Sequence, residues 1–334
     1  MSADTMLDAM DRKLESFKAL VRPAPESRPR TPFDGPNGEN MSPARSFSFR
    51  HMLTMLPDAI PLLFGMWRSA RMYDRQFLPA SDEASPEFIA ELEAMARAAG
   101  ARDIAYVEVP PNAIFRDKGI PHRYAIVFTV EMDKEPMDKA PSFECMHEVG
   151  KGYKTLAQVG NRLAKHMHAH GYAAYPGTAL GGVTDYVHLA EVAGLGAIGY
   201  HGLLITPGEG ARVRINTIYT NITNLPLANG APNEHRWVRD FCAMCHKCVR
   251  KCPVDAISDE PKPRGDGGMQ AIDHDACRDY FADNFGCAVC LSVCPFSHRG
   301  YDQVKARFKG NPKAPQFLIP VDAVRVRGPD AART

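Results

Sequence analysis

The stretch FCAMCHKCVRKCPVDAI, residues 241–257, holds Cys242-x2-Cys245-x2-Cys248-x3-Cys252-Pro253, and this spacing decides how the chain around it is built. A second run, CRDYFADNFGCAVCLSVCPF at 277–296, supplies Cys277-x9-Cys287-x2-Cys290-x3-Cys294-Pro295. A cubane iron–sulphur cluster needs four thiolates converging from different directions. A C-x2-C-x2-C turn brings three of them, and the fourth Cys, followed by Pro, reaches the neighbouring cluster. The spacing therefore predicts one [4Fe–4S] cluster on Cys242, Cys245, Cys248 and Cys294, and a second on Cys252, Cys277, Cys287 and Cys290. Zinc would use isolated sets of four without the repeated C-x3-C-P ending. Disulphides would need an oxidising compartment, and the N-terminus reads as lacking a secretory or twin-arginine signal. Cys145, the ninth cysteine, stands apart and reads as a small buried hydrophobe.

Working outward, the 334 residues are 45% apolar and 24% charged, enough for one large or two modest domains. A net charge of +1 supplies no global field for nucleic acid or an anionic membrane, and the chain reads as cytoplasmic. The most apolar window, 52–67, is short for a membrane span and contains Pro57, Asp58 and Pro61. It is expected to form a helix pair packed on the main domain, with an interfacial helix as the alternative. Residues 22–46, rich in Pro, Gly, Ser and charge, read as an extended arm. The N-terminal apolar arm leaves a homodimer open.

A helix is predicted over 86–99, started by Ser85-Pro86 and ended by Gly100. Strands are predicted over 103–109, 124–131 and 211–221. A long amphipathic helix is expected from Tyr153 to His170, closed by Gly171, followed by an extended piece at 172–175 and a helix near 187–193. The fold class is thus α+β. An N-terminal arm with apolar helices (1–84) precedes an α+β core (85–237), a ferredoxin-like module with two [4Fe–4S] clusters (238–300) and a tail (301–334).

Gly194-Leu195-Gly196-Ala197-Ile198-Gly199 matches G-x-G-x-x-G as a string, but a dinucleotide site requires a strand before it and a helix after it. The preceding VHLAEVA reads as helix. The glycines instead predict close backbone approach to a large flat ligand or to another segment of the chain. His166, His168 and His170 end the long helix. Metal binding on one helical face is the sharper reading, and dipole-favoured residues in a last turn the plainer one.

The stretch HLAEVAGLGAIGYHGLLITPGEGARVRINTIYTNITNLPL (188–227), leading into DFCAMCHKCVRKCPVDAI (240–257), resembles the catalytic core of corrinoid-dependent reductive dehalogenases. It is similar also to their relatives, the epoxyqueuosine reductases. The Ala-Gly-Leu-Gly turn, the Leu-Leu-Ile-Thr-Pro segment, the Arg-x-Arg strand and Asn-Leu-Pro-Leu before Phe-Cys carry the resemblance, which extends over about residues 85–300. It implies a nitroreductase-like core that buries base-off cobalamin beside the two clusters. The expected activity is two-electron, one-proton reduction of a small organic compound, such as an organohalide, fed by an external ferredoxin, flavodoxin or reductase. By position Tyr153 matches the family's proton donor. A phenol (pKa ~10) donates poorly without a nearby cation. The family's basic residue falls on the strand carrying Arg212 and Arg214, which share a face, so either can serve. Gly194, Gly196, Gly199, Tyr200 and His201 are assigned to the corrinoid surface. Packing roles are the plain alternatives for Tyr153, Tyr200 and His201, and salt bridges for the arginines. The proton-donating Asp of epoxyqueuosine reductases would fall near Leu180, with Asp185 five residues late, which speaks against a tRNA substrate. A non-catalytic electron carrier or corrinoid-handling protein is the remaining alternative.

Overall fold

The computed structural model describes residue 10 and residues 12–17, 20–31, 33, 43–228 and 232–310. Residues 1–9, 34–42 and 311–334, the last of these being most of the expected tail, lie outside the described residues. In chain order the elements are α1 (Phe49–Met72), α2 (Pro86–Ala98), β1 (Ile104–Glu108), β2 (Tyr124–Glu131), α3 (Lys134–Asp138), α4 (Phe143–Ala169), β3 (Ala174–Pro176), α5 (Tyr186–Val192), β4 (Ala197–Ile198), β5 (Leu204–Ile205) and β6 (Val213–Thr220). The cysteine-bearing part follows as α6 (Trp237–Cys245), α7 (Lys247–Lys251), β7 (Ile257–Pro263), β8 (Met269–Ile272), α8 (His274–Asp283), α9 (Val289–Ser292), α10 (Pro295–Arg299) and α11 (Tyr301–Arg307).

A four-stranded antiparallel sheet, ordered β1-β2-β6-β3, forms the frame. Side chains alternate across it, so each strand feeds two cores. Ile126, Phe128, Val130 and Ile218 meet Leu156, Val159, Leu163 and Met167 of α4, with α1 and α2 completing the layer. Ala125, Val127 and Tyr219 face the other way, toward Leu189 and Ala190 of α5. Each large apolar side chain buried here contributes on the order of 1.5–3 kcal/mol. A third core joins the sheet's lower end to the cysteine module through Met132, Cys145, Tyr200, Val238, Leu291 and Phe296.

Two expectations are corrected. The apolar segment near residues 52–67 is one 24-residue helix, not a pair. Pro57 and Pro61 each free one backbone carbonyl a turn earlier, at Leu53 and Pro57. Both residues are exposed, so water satisfies those carbonyls and the helix continues. The long helix starts ten residues before Tyr153, at Phe143, where the Ser142 hydroxyl accepts from the Cys145 amide at 3.1 Å. Gly150 and Gly152 hide this start in the sequence, because glycine reads against helix. They are there for close packing: a Cβ on Gly152 would lie 3.1 Å from Arg214 Cγ, and one on Gly150 3.3 Å from Met55 Cε. The arm at 22–31 is irregular, with a turn closed by Ser27 N–H to Ala24 O, and is strapped down. The Arg28 guanidinium reaches Asp185 at 2.8 Å and lies 4.6 Å over the Phe115 ring.

Candidate redox site

The two cysteine runs fold as copies of one loop. His246 (φ 46°) and Ala288 (φ 65°), each in the middle of a Cys-x2-Cys pair, are left-handed and turn the chain sharply around the point where a cluster would sit. Each loop then enters a short helix, α7 or α9. The fourth cysteines leave that path in the same way, Cys252 at φ −64°, ψ 123° and Cys294 at φ −64°, ψ 126°. The reason is local. Pro253 and Pro295 exclude the helical conformation from the residue before them, so each fourth sulphur swings away from its own loop.

The eight thiols crowd one another in two overlapping groups. Burial raises Cys242, and the sulphurs raising it further are Cys294, Cys248 and Cys245. Burial raises Cys290, followed by Cys287, Cys248, Cys277 and Cys252. Cys248, beside both Cys245 and Cys252, stands where the two groups adjoin. Burial pushes Cys248 and Cys277 up to about 11 and Cys294 to about 12, so as thiolates they would need a metal to hold their charge. Among the described residues no three His, Cys, Asp or Glu side chains converge closely enough for a single ion. Backbone amides already point at the sulphurs. Ala256 N–H donates to Cys252 Sγ at 3.3 Å, Tyr200 N–H to Cys242, and those of Phe296 and Ser297 to Cys294. Such donors favour the thiolate and tune a cluster's potential.

Docking of the module rests on a buried ion pair that sequence reasoning missed. Arg239 of α6 donates to both carboxylate oxygens of Glu191 in α5 at 2.6 Å, and Glu191 Oε1 also accepts from the Ile198 amide at 2.8 Å. Asn233 Nδ2 donates to the carbonyls of Glu191 and Gly196, at 3.2 and 2.8 Å. A lone acid inside the apolar run VHLAEVAGLG was the available signal.

The glycine string follows α5 and leads into β4, the reverse of the dinucleotide order. A Cβ on Gly196 would lie 2.2 Å from Ile205 O, and one on Gly199 2.6 Å from Ile205 Cδ1. These glycines therefore admit the chain's own strand β5. Gly194, at φ +77°, turns the chain out of α5. Tyr200 is buried with its ring edge-on to His246 at 5.3 Å, against the first cysteine loop. His201 is buried in the β4–β5 turn, where Nδ1 accepts from the Leu203 amide at 3.2 Å. Burial pushes its imidazole down to about 4, and Nε2 has no hydrogen-bond partner.

Tyr153 packs at the seam between the sheet core and the module core. The Arg214 guanidinium lies over its ring, 4.9 Å from the centroid, and the buried Nε of Arg214 has no hydrogen-bond partner. Arg212 is engaged elsewhere. It pairs with Glu209 and donates to Met132 O and, at 3.4 Å, to Ser297 O just beyond Cys294. The pair left open in the sequence thus separates into a tie to the module and a neighbour of Tyr153. The seam adjoins the second cysteine loop, since the Cys145 thiol lies within the fields of both Arg214 and Cys287. Cys145 itself is buried against Met137, with burial raising its thiol to about 11. His168 stacks on Phe77 at 4.4 Å, and His166 and His170 lie against Phe88, as helix-end residues do. Asp185 caps α5 and is held by Arg28 and Arg264. Although burial opposes ionisation, these cations keep its carboxyl well below the usual range.

The 4Fe-4S binding domain family matches residues 235–258. The chain is 35% identical over 192 residues to the tetrachloroethene reductive dehalogenase of Desulfitobacterium hafniense, covering 54% of this chain and 34% of that protein. It is 30% identical over 125 residues to the epoxyqueuosine reductase of Listeria monocytogenes, covering 35% of this chain and 30% of the relative. A solved reductive dehalogenase, described in connection with B12-dependent dehalogenation, superposes with TM-score 0.63 at 18% identity, over 92% of this chain and 49% of that one. The chain thus spans about a third of the length of the curated relatives it matches, and about half of that solved structure. Over roughly half its length it is a homologue of the reductive dehalogenases, on an α+β fold like theirs with a 4Fe-4S binding domain, and the epoxyqueuosine reductases are its more distant relatives.

Proposed function

We propose that this chain is a corrinoid- and iron–sulphur-dependent reductase of the reductive dehalogenase type, with a nitroreductase-like core, acting on a small organic substrate such as an organohalide. The observation that carries this reading is the Arg214–Tyr153 pair, set at the seam between the core and the cysteine module. The chain has groups left over for a polar cofactor: Arg214 Nε and His201 Nε2 are buried and unpartnered, and they are the residues that fit a corrinoid. A base-off corrinoid, when bound, supplies the strongly reducing two-electron centre.

The remaining chemistry belongs to the chain. Tyr153 Oη gives its proton to the substrate as the bond to the leaving group breaks, and Arg214 stabilises the phenolate left behind. The thiols of Cys242, Cys245, Cys248 and Cys294, and of Cys252, Cys277, Cys287 and Cys290, hold two clusters. An external ferredoxin, flavodoxin or reductase provides the electrons.

The test is the protein reconstituted anaerobically with iron, sulphide and cobalamin, and assayed for halide release from a panel of organohalides under a chemical reductant. About eight irons and one cobalt per chain are expected. Tyr153→Phe should lower turnover by about a hundredfold or more at unchanged iron and cobalt content. Full iron without cobalt would mean an electron-transfer protein, and unaltered turnover in Tyr153→Phe would remove the proton-donor assignment.

A further inference from the structure

Helix α1 is fixed to the molecule along one side only. Beneath it, Asp58 pairs with His147 at 2.8 Å and with Lys154, Asn161 donates to Gly65 O at 2.9 Å, and Gly65 lies against Ala157. Its outward side is apolar and, among the described residues, unpartnered. Phe49, Leu53, Leu56, Ile60, Leu63 and Trp67 recur at helical spacing, from 38% exposed at Trp67 to 76% at Phe49, and exposed Met52 and Phe64 widen the stripe. At 3.6 residues per turn these positions span about 120° of the helix surface, over a length of roughly 27 Å.

Charge decides what can cover this face. The only acid in α1, Asp58, is turned inward and neutralised by its partners. The exposed ionisable side chains of the helix are Arg50, Arg68 and Arg71. The Arg71 guanidinium lies 4.9 Å over the Trp67 ring and that of Arg68 5.9 Å over Phe64, so both cations sit along the rim of the apolar stripe. Asp74, just beyond the helix, already pairs with Lys13 and Arg71. A second copy laid antiparallel on this face would bring Arg50 toward Arg68 and Arg71 with no acid between them, a like-charge contact. The stripe is also wider than a two-helix seam. An anionic lipid surface meets both features: apolar chains and the Trp and Phe rings enter the interface, and the arginines reach phosphate. Among the described residues no helix is long and apolar enough to cross a membrane, so the contact lies in the plane of the surface.

We propose that the outward face of α1 is a docking surface for anionic lipid bilayers and seats the molecule on a membrane without spanning it. It holds the helix rigidly because the underside is anchored to α4, so binding would orient the whole molecule.

The test is co-sedimentation of the full chain, clusters intact, with vesicles of mixed phosphatidylglycerol and phosphatidylcholine, and with phosphatidylcholine alone. Binding is expected to the anionic vesicles, weaker to the neutral ones and reduced by salt. Ile60→Asp, at an exposed position outside the redox site, should weaken it by about tenfold or more. Arg50→Gln with Arg68→Gln should weaken binding by roughly tenfold on anionic vesicles only. Cluster absorbance and circular dichroism, unchanged in each variant, separate loss of docking from loss of folding. The proposal is overturned if the wild-type chain does not sediment with anionic vesicles, or if Ile60→Asp binds as well as wild type. A lipid-free dimer that Ile60→Asp dissociates would assign the face to a second copy and equally overturn it.

Discussion

Replacing Glu191 by Leu removes the carboxylate that receives two 2.6 Å bonds from Arg239 and one from the Ile198 amide. The side chains of Glu191 and Arg239 are only 8% and 7% exposed, so water does not replace what is lost. An ion pair in that position costs about 3–5 kcal/mol to break from one side, because the remaining charge stays buried and unpaired. Arg239→Met leaves Glu191 in the same state and should cost a similar amount. The double variant removes both charges and fills the space with apolar atoms. It retains one orphaned donor, the Ile198 amide, worth about 1–3 kcal/mol. The double variant should therefore be less destabilised than the sum of the singles by several kcal/mol, a positive coupling between adjacent groups. For a chain of this size the single variants correspond to a fall in Tm of roughly 4–7 °C. The assay is thermal melting by circular dichroism together with loss of cluster absorbance, at matched iron content, since bound clusters raise apparent stability. Because the pair joins α5 to α6, cluster absorbance should be lost before the helical signal. Single variants that melt within about 1 °C of wild type would refute the reasoning.

Cys294→Ala should remove the cluster shared with Cys242, Cys245 and Cys248, lowering iron from about eight to about four per chain. Loss instead of the cluster on Cys287 and Cys290 would refute the crossed assignment. Gly196→Ala sets a Cβ against Ile205 O and should cost about 1–3 kcal/mol in a denaturant titration. Gly265→Ala, with nothing within 4 Å, should stay within about 0.5 kcal/mol. His122, pushed down to about 4 by burial, is neutral in the folded chain, while the unfolded chain protonates near 6.5. Between those values the unfolded state holds the extra proton, so stability falls as pH drops, with His122 adding at most about 1.4 kcal/mol per pH unit. His122→Phe should flatten that slope, and a slope identical to wild type would reject this origin.

Some of this molecule was legible in one dimension because its chemistry is local. Pro253 and Pro295 act on the residue next to them, so the turning away of Cys252 and Cys294 is a property of a dipeptide. The strand at Tyr124–Glu131 and the helix at Pro86–Ala98 carry their signals in branched and aromatic runs, a Ser cap and a terminal Gly, and both were found within a residue. The helix at Phe143–Ala169 was misread at its start because Gly150 and Gly152 obey a distant constraint, the nearness of Met55 and Arg214, that no neighbouring residue reveals. The choice between Arg212 and Arg214 was of the same kind. The sequence sets both on one strand face, and only the placing of Glu209, Ser297 and Tyr153 around them separates a module tie from the neighbour of the phenol. The Glu191–Arg239 pair lies 48 residues apart in the chain, and among the described residues α1 is covered on one side, by α4, and exposed on the other. Cysteine spacing and backbone preference are written residue by residue. Which polar groups meet, and which apolar face remains uncovered, depends on three-dimensional proximity, and only the tertiary structure decides it.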